Sequence, residues 1–145
     1  MQQSGVQEIS FGSVRIFWLD YPLIIEQLSR ICEDFQNYPE ILEVWLFGSF
    51  AQLRAVPGSD IDLLLVIEES KQRFIDRIEQ YQGIFSDIGM SVDIFPYTRA
   101  EADTPVVRNA KKTGVCIYNA SDEHAGRKAL LDLATAAKLK RPRKV

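Results

Sequence analysis

Short apolar runs separated by turn residues dominate the first two thirds of the chain, and helical periodicity fills the gaps between them. From Val6 to Leu19, Ile9 and Phe11 alternate with polar residues, Gly12-Ser13 interrupts, and Val14, Ile16 and Trp18 then share a face. Period-two alternation broken by Gly-Ser predicts a first strand or hairpin. Ile24, Leu28, Ile31 and Phe35 recur at helical spacing, so a helix is expected from an Asp20 N-cap to about Asn37, with Pro22 in its first turn. Ile41 to Phe47 reads as a strand, and so does the apolar run that ends at Ile67. Glu68-Glu69-Ser70 forms a turn. Phe74, Ile75, Ile78, Tyr81 and Phe85 mark a second amphipathic helix. A strand follows at Ser91–Phe95, and Pro96 is expected to stop it. A short helix over Thr104–Lys112 carries Pro105 in its first turn, and Gly114 leads into a last strand ending at Tyr118. Beyond it, Ser121 is placed to cap a helix whose apolar residues are Leu130, Leu131, Leu133, Ala134 and Ala137. Strands interleaved with helices predict an α/β (α+β) fold, a mixed sheet with helices packed on it.

Candidate chemistry sits between the two most apolar strands. Val44-Trp45-Leu46-Phe47 breaks at Gly48-Ser49, ten residues follow, and Asp60-Ile61-Asp62 opens Leu63 to Ile67. Side chains alternate along a strand, so Asp60 and Asp62 share one face and Ile61 takes the other. Two anions so placed repel, and a cation bound by both removes that cost. A later strand supplies a third acid, Asp93. Trp45, Phe47 and Phe95 are read as core residues, His124 as a surface residue, and the basic end of the chain as a solvated tail.

Composition bounds the remaining choices. A chain of 145 residues with 46% hydrophobic and 26% charged residues is long enough for one domain with its own core. No apolar run approaches the roughly 20 residues of a membrane span. The N-terminus lacks a signal-peptide pattern, and two well-separated cysteines, Cys32 and Cys116, read as reduced thiols, so a cytoplasmic location is expected. A net charge of −3 argues against a general nucleic-acid binder. One histidine and two distant cysteines do not make a zinc site, and neither a Walker-type phosphate loop nor a dinucleotide-binding glycine motif is present.

Gly48-Ser49, ten residues, then Asp60-x-Asp62, with Asp93 on a later strand, resembles the signature of the DNA polymerase β-like nucleotidyltransferases. Within them it is most similar to the minimal nucleotidyltransferases of prokaryotes, the antitoxin half of HEPN/MNT pairs. The resemblance covers roughly Val14 to Tyr118. It implies a nucleotidyltransferase domain over residues 1–118, followed over 119–145 by a C-terminal helix and basic tail. It implies that Asp60 and Asp62 bind two Mg²⁺ ions, that Asp93 binds the catalytic one and helps deprotonate the acceptor, and that Gly48 and Ser49 hold the triphosphate. The activity implied is transfer of a nucleoside monophosphate, AMP from ATP, to a hydroxyl on a partner protein such as the tyrosine of a HEPN toxin. The family often continues Gly-Ser-x-Ala-Arg-Gly, whereas Gln52 and Leu53 stand here in place of Arg and Gly. That departure removes a phosphate partner. It keeps a second reading open, an antitoxin-type module that acts by contact with a weak or inactive nucleotide site. Transfer to a small molecule, as in aminoglycoside nucleotidyltransferases, is a third reading, although those enzymes usually carry more chain for the acceptor.

Overall fold

The expected alternation of strands and helices is what a computed structural model of the chain shows, and it describes residues 5–12 and 14–138. The first apolar alternation forms a hairpin, β1 (Val6–Phe11) antiparallel to β2 (Val14–Leu19), with Val6 opposite Leu19. Helix α1 (Tyr21–Asp34) starts where expected, with the Asp20 carboxylate accepting a hydrogen bond from the Leu23 N–H at 3.2 Å. Its predicted last turn tightens into a 3-10 turn, Phe35–Asn37. Then come β3 (Ile41–Phe47), the single turn α2 (Gly48–Ala51), β4 (Ile61–Ile67), α3 (Phe74–Gln82), β5 (Val92–Thr98), α4 (Pro105–Thr113), β6 (Val115–Asn119) and α5 (Glu123–Lys138). The basic residues beyond Lys138 lie outside the described residues.

Four of the strands form one mixed sheet in the order β5-β4-β3-β6. β3 is antiparallel to both β4 and β6, and β4 is parallel to β5. Both faces of β4 are buried, which explains its unbroken apolar run. Ile61, Leu63, Leu65 and Ile67 enter the larger core with the α1 stripe, Phe35, Ile94, and Leu130 and Leu133 of α5. Leu64 and Val66 enter a smaller core under α4, with Phe47, Val107 and Ala110. Each fully buried aliphatic side chain contributes about 1.5–3 kcal/mol, so the central strand anchors the domain from both sides.

Three local expectations are corrected. Pro96 does not stop β5: the strand continues to Thr98, with Pro96 opposite Leu65. β5 is the edge of the sheet, where a missing N–H on the outward side removes no ladder bond. Ser121 does not cap α5. Asp122 does, its carboxylate accepting from the Ala125 N–H at 3.2 Å, while the Ser121 N–H donates to the Asn119 side chain in the preceding turn. Leu131 points to solvent, 68% exposed, because Leu130 and Leu133 already occupy the inward face of α5.

Helix α5 approaches β6 at a glycine. A Cβ on Gly126 would come within 2.5 Å of the Ile117 carbonyl oxygen and 2.8 Å of its carbon. Backbone cannot move aside as a flexible side chain can, so Gly126→Ala should lift the helix and cost about 1–3 kcal/mol, the usual penalty of overpacking. Urea unfolding measures it; an unchanged midpoint would show that the helix tolerates the displacement.

Candidate active site

The smaller core leads directly to the acids. Strand β3 ends at Phe47, which pairs with Asp62, and Asp62 in turn pairs with Asp93. The end of β3, the second residue of β4 and the second residue of β5 therefore lie level across three adjacent strands. Asp60 immediately precedes β4. Ile61 is fully buried in the larger core, so Asp62 turns to the opposite face, as strand alternation requires. Asp62 is half-buried, and Asp60 and Asp93 are exposed. Leu64 and Phe95, next along the same face, continue it as an apolar floor, and the Phe95 ring lies 5.5 Å from that of Phe47. Phe47 is core, as expected, whereas Trp45 and Phe95 are only half-buried beside it.

Gly48 begins the turn that follows. Its φ of +79° lies in the left-handed region, and a Cβ there would overlap the Asp62 Oδ2. Glycine is thus required twice over: the backbone conformation disfavours a side chain, and the space belongs to a carboxylate. Ser49 follows in α2, and its carbonyl accepts the Arg54 N–H at 2.8 Å. The turn is held from below by Phe50, fully buried, whose ring lies 4.7 Å from that of Tyr21. The Tyr21 hydroxyl donates to the Ala55 carbonyl at 3.0 Å, tying α1 to the segment between α2 and β4. Neither Tyr21 nor Phe50 stood out in the sequence as a support of the site; each reads there only as an aromatic beside a turn.

Leu53 adopts φ of +56°, the only non-glycine residue with positive φ among the described residues. For an L-residue with a branched side chain this costs on the order of 1–2 kcal/mol. A glycine would avoid the cost, which gives a physical reason for the glycine usual at this position in the family pattern. At the neighbouring position Gln52 accepts a hydrogen bond from the Arg54 guanidinium, so this cation is directed along the turn to Gln52.

The electrostatics bind the three acids into one unit. The Asp62 carboxyl is pushed above the usual carboxylate range by burial first, then by the charges of Asp93 and Asp60. Asp93 is raised by burial, then by the charge of Asp60 and a hydrogen bond with it. Burial and the neighbouring charges both disfavour the ionised form of Asp62 and Asp93. Among the described residues no three acid, histidine or cysteine side chains are already clenched around a common point. The backbone holds Asp62 level with Asp93, and a side-chain hydrogen bond joins Asp93 to Asp60.

The model of the polymerase β nucleotidyltransferase family matches residues 29–123, and the chain belongs to that family. Among the solved structures that share the fold are the following. A candidate nucleotidyltransferase from Sulfolobus solfataricus is 23% identical over 70% of this chain and 86% of its own, with a TM-score of 0.55. A chain of a toxin–antitoxin complex solved with AMP-PNP is 22% identical over 81% of this chain and 91% of its own, with a TM-score of 0.52. A mutant of the toxin–antitoxin pair MntA–HpeT is 19% identical over 81% and 91%, with a TM-score of 0.51. No curated protein matches the chain.

The raised carboxyls fix a sign for stability against pH. A carboxyl with a raised folded-state value is stabilising while protonated. That contribution is full below the unfolded value near 4 and is lost as pH rises through the raised folded-state values of Asp62 and Asp93. Asp62→Asn removes one of the repelling charges. Its Tm should therefore exceed that of the wild type at pH 7 and converge on it below about pH 4. Calorimetric melts across this range decide the matter; a variant less stable than wild type at pH 7 would show that Asp62 is held by a favourable partner instead.

Proposed function

We propose that the chain is a Mg²⁺-dependent nucleotidyltransferase that moves a nucleoside monophosphate, AMP from ATP, onto a hydroxyl of a partner protein such as a HEPN-type toxin. The observation that carries this reading is the level placement of Asp62 and Asp93 on parallel strands, with Asp60 beside them and Gly48 held open against Asp62. The donor set fits the metal: three neighbouring carboxylates offer only hard oxygen ligands. Asp60, Asp62 and Asp93 would hold the Mg²⁺ ions, which supply charge neutralisation at the phosphate oxygens. The toxin–antitoxin relatives, one solved with AMP-PNP, support both the nucleotide and the class of partner. Two free cysteines and the lack, among the described residues, of a helix long and apolar enough to cross a membrane agree with action in the cytoplasm.

The residues of the chain divide the work. Gly48 lets the backbone approach the triphosphate, and the N–H groups of Gly48 and Ser49 face it with the Ser49 hydroxyl. Transfer forms a bond from the acceptor oxygen to the α-phosphorus and breaks the bond to pyrophosphate. With the leaving group on the side of α2, an in-line attack brings the hydroxyl from the side of β5, where Asp93 stands. In this reading the Asp93 carboxylate, whose proton affinity is raised, takes the hydroxyl proton.

A second reading is favoured by one feature. Gln52 occupies the position of a phosphate-binding arginine, and the nearby Arg54 is engaged with it. A site so weakened would leave an antitoxin that acts by contact alone.

Asp93→Asn separates the two. It keeps the shape and removes the charge, and transfer should fall at least about a hundredfold, the scale of general-base catalysis. Label transfer from α-³²P-ATP to the co-expressed partner is measured beside a pull-down of the same pair. Loss of transfer and of neutralisation with the pull-down intact supports the enzyme. A variant that neutralises its partner as well as wild type would establish the contact-only module.

A further inference from the structure

Among the described residues, strand β5 has a neighbouring strand on only one side. Asp62 pairs with Asp93 across the inner edge. On the outer edge the residues alternating with Asp93 turn their carbonyls away from the sheet, and two of these carbonyls are taken by the same helix. The Gln82 side-chain amide donates to the Val92 carbonyl at 2.9 Å. The Arg77 guanidinium donates to the Pro96 carbonyl at 3.2 Å and to Glu101 at 2.7 Å. Helix α3 thus stands in for a missing strand, with one polar side chain on each side of Asp93 along the chain.

The two contacts differ in their leverage. Arg77 is buried, and its loss would leave the Pro96 carbonyl without its donor and Glu101 without its cation. Gln82 is an exposed residue, and its bond reaches the peptide group that joins Val92 to Asp93. That group is planar, so holding the Val92 carbonyl also fixes the Asp93 N–H and restrains the direction of its Cα–Cβ bond. The force to be resisted is electrostatic. With all three acids ionised, Asp93 is repelled by Asp60 and Asp62, and an edge strand yields outward most easily.

We propose that Gln82 is a positioning residue for Asp93: its hydrogen bond to the Val92 carbonyl holds the edge strand against carboxylate repulsion, so that the third acid stays within reach of a shared divalent cation. The proposal rests on the reading of Asp93 as a metal-binding acid. Ligand-orienting partners of this kind are worth 10–100-fold in metal affinity.

The test uses the full chain and Mn²⁺ alone as probe, with calorimetric binding, amide exchange at Asp93 by NMR, and Tm. Gln82→Met keeps the length of the side chain without a donor. It should weaken Mn²⁺ binding about tenfold and speed exchange of the Asp93 amide, with little change in Tm. Gln82→Lys restores a donor and should restore slow exchange, although its charge opposes Mn²⁺. Unchanged Mn²⁺ binding in Gln82→Met overturns the proposal, as does a fall in Tm as large as that of Arg77→Met, which would make the contact purely structural. Asp93→Asn measured alongside separates the two levels. If Asp93→Asn loses Mn²⁺ affinity and Gln82→Met does not, only the positioning role fails. If Asp93→Asn binds Mn²⁺ like wild type, the metal-site reading fails and the positioning role falls with it.

Discussion

Like charges must be held close together for this site to exist, and that requirement falls on the parallel pairing of β4 with β5. Carboxylates left to themselves would separate, and nothing in their own chemistry keeps Asp62 level with Asp93. The restraint comes from a ladder of backbone hydrogen bonds. The ladder is anchored by a central strand buried on both faces, so that a slip in register would expose one core or the other. Stability elsewhere in the domain is what makes an unfavourable cluster tolerable here.

Gly48 shows the same economy on a smaller scale. The space that a side chain would fill there is occupied by Asp62. Leu53 shows the opposite compromise. It packs against the larger core from a backbone conformation that favours glycine, so burial is gained against local strain. The chain has therefore kept one of two glycine-like positions in its signature turn and filled the other with an apolar side chain.

Much of this was legible in the sequence because the signals were local. Apolar runs and helical stripes gave the order of elements, and strand alternation alone set Asp60 and Asp62 apart from Ile61. Gly48-Ser49 and the spacing to Asp60 named the family, and the family model agrees. What escaped was information held between elements. Pro96 stops a strand only if that strand has neighbours on both sides, and nothing local says that β5 lies at an edge. Asp122 and Ser121 are both good caps, and the helix starts at Glu123, which makes Asp122 the capping residue. The roles of Tyr21, Phe50, Arg77 and Gln82 all depend on partners distant along the chain, which no window of sequence displays.

The order of strands also has a temporal meaning. Gly48 and Asp62 come together when β3 and β4 close on one another, an antiparallel pairing of strands consecutive in the chain. Asp93 joins only when β5 docks in parallel, after α3 has crossed from one end of the sheet to the other. Pairings that close longer loops form later, because more chain entropy must be surrendered before any contact rewards it. During synthesis and refolding the two halves of the cluster would then mature separately, the half beside Gly48 first. Before β5 docks, the chain would carry Asp60 and Asp62 without their repelling third member. Pulse-labelled amide exchange during refolding would reveal that sequence as protection at Leu63–Leu65 before protection at Asp93.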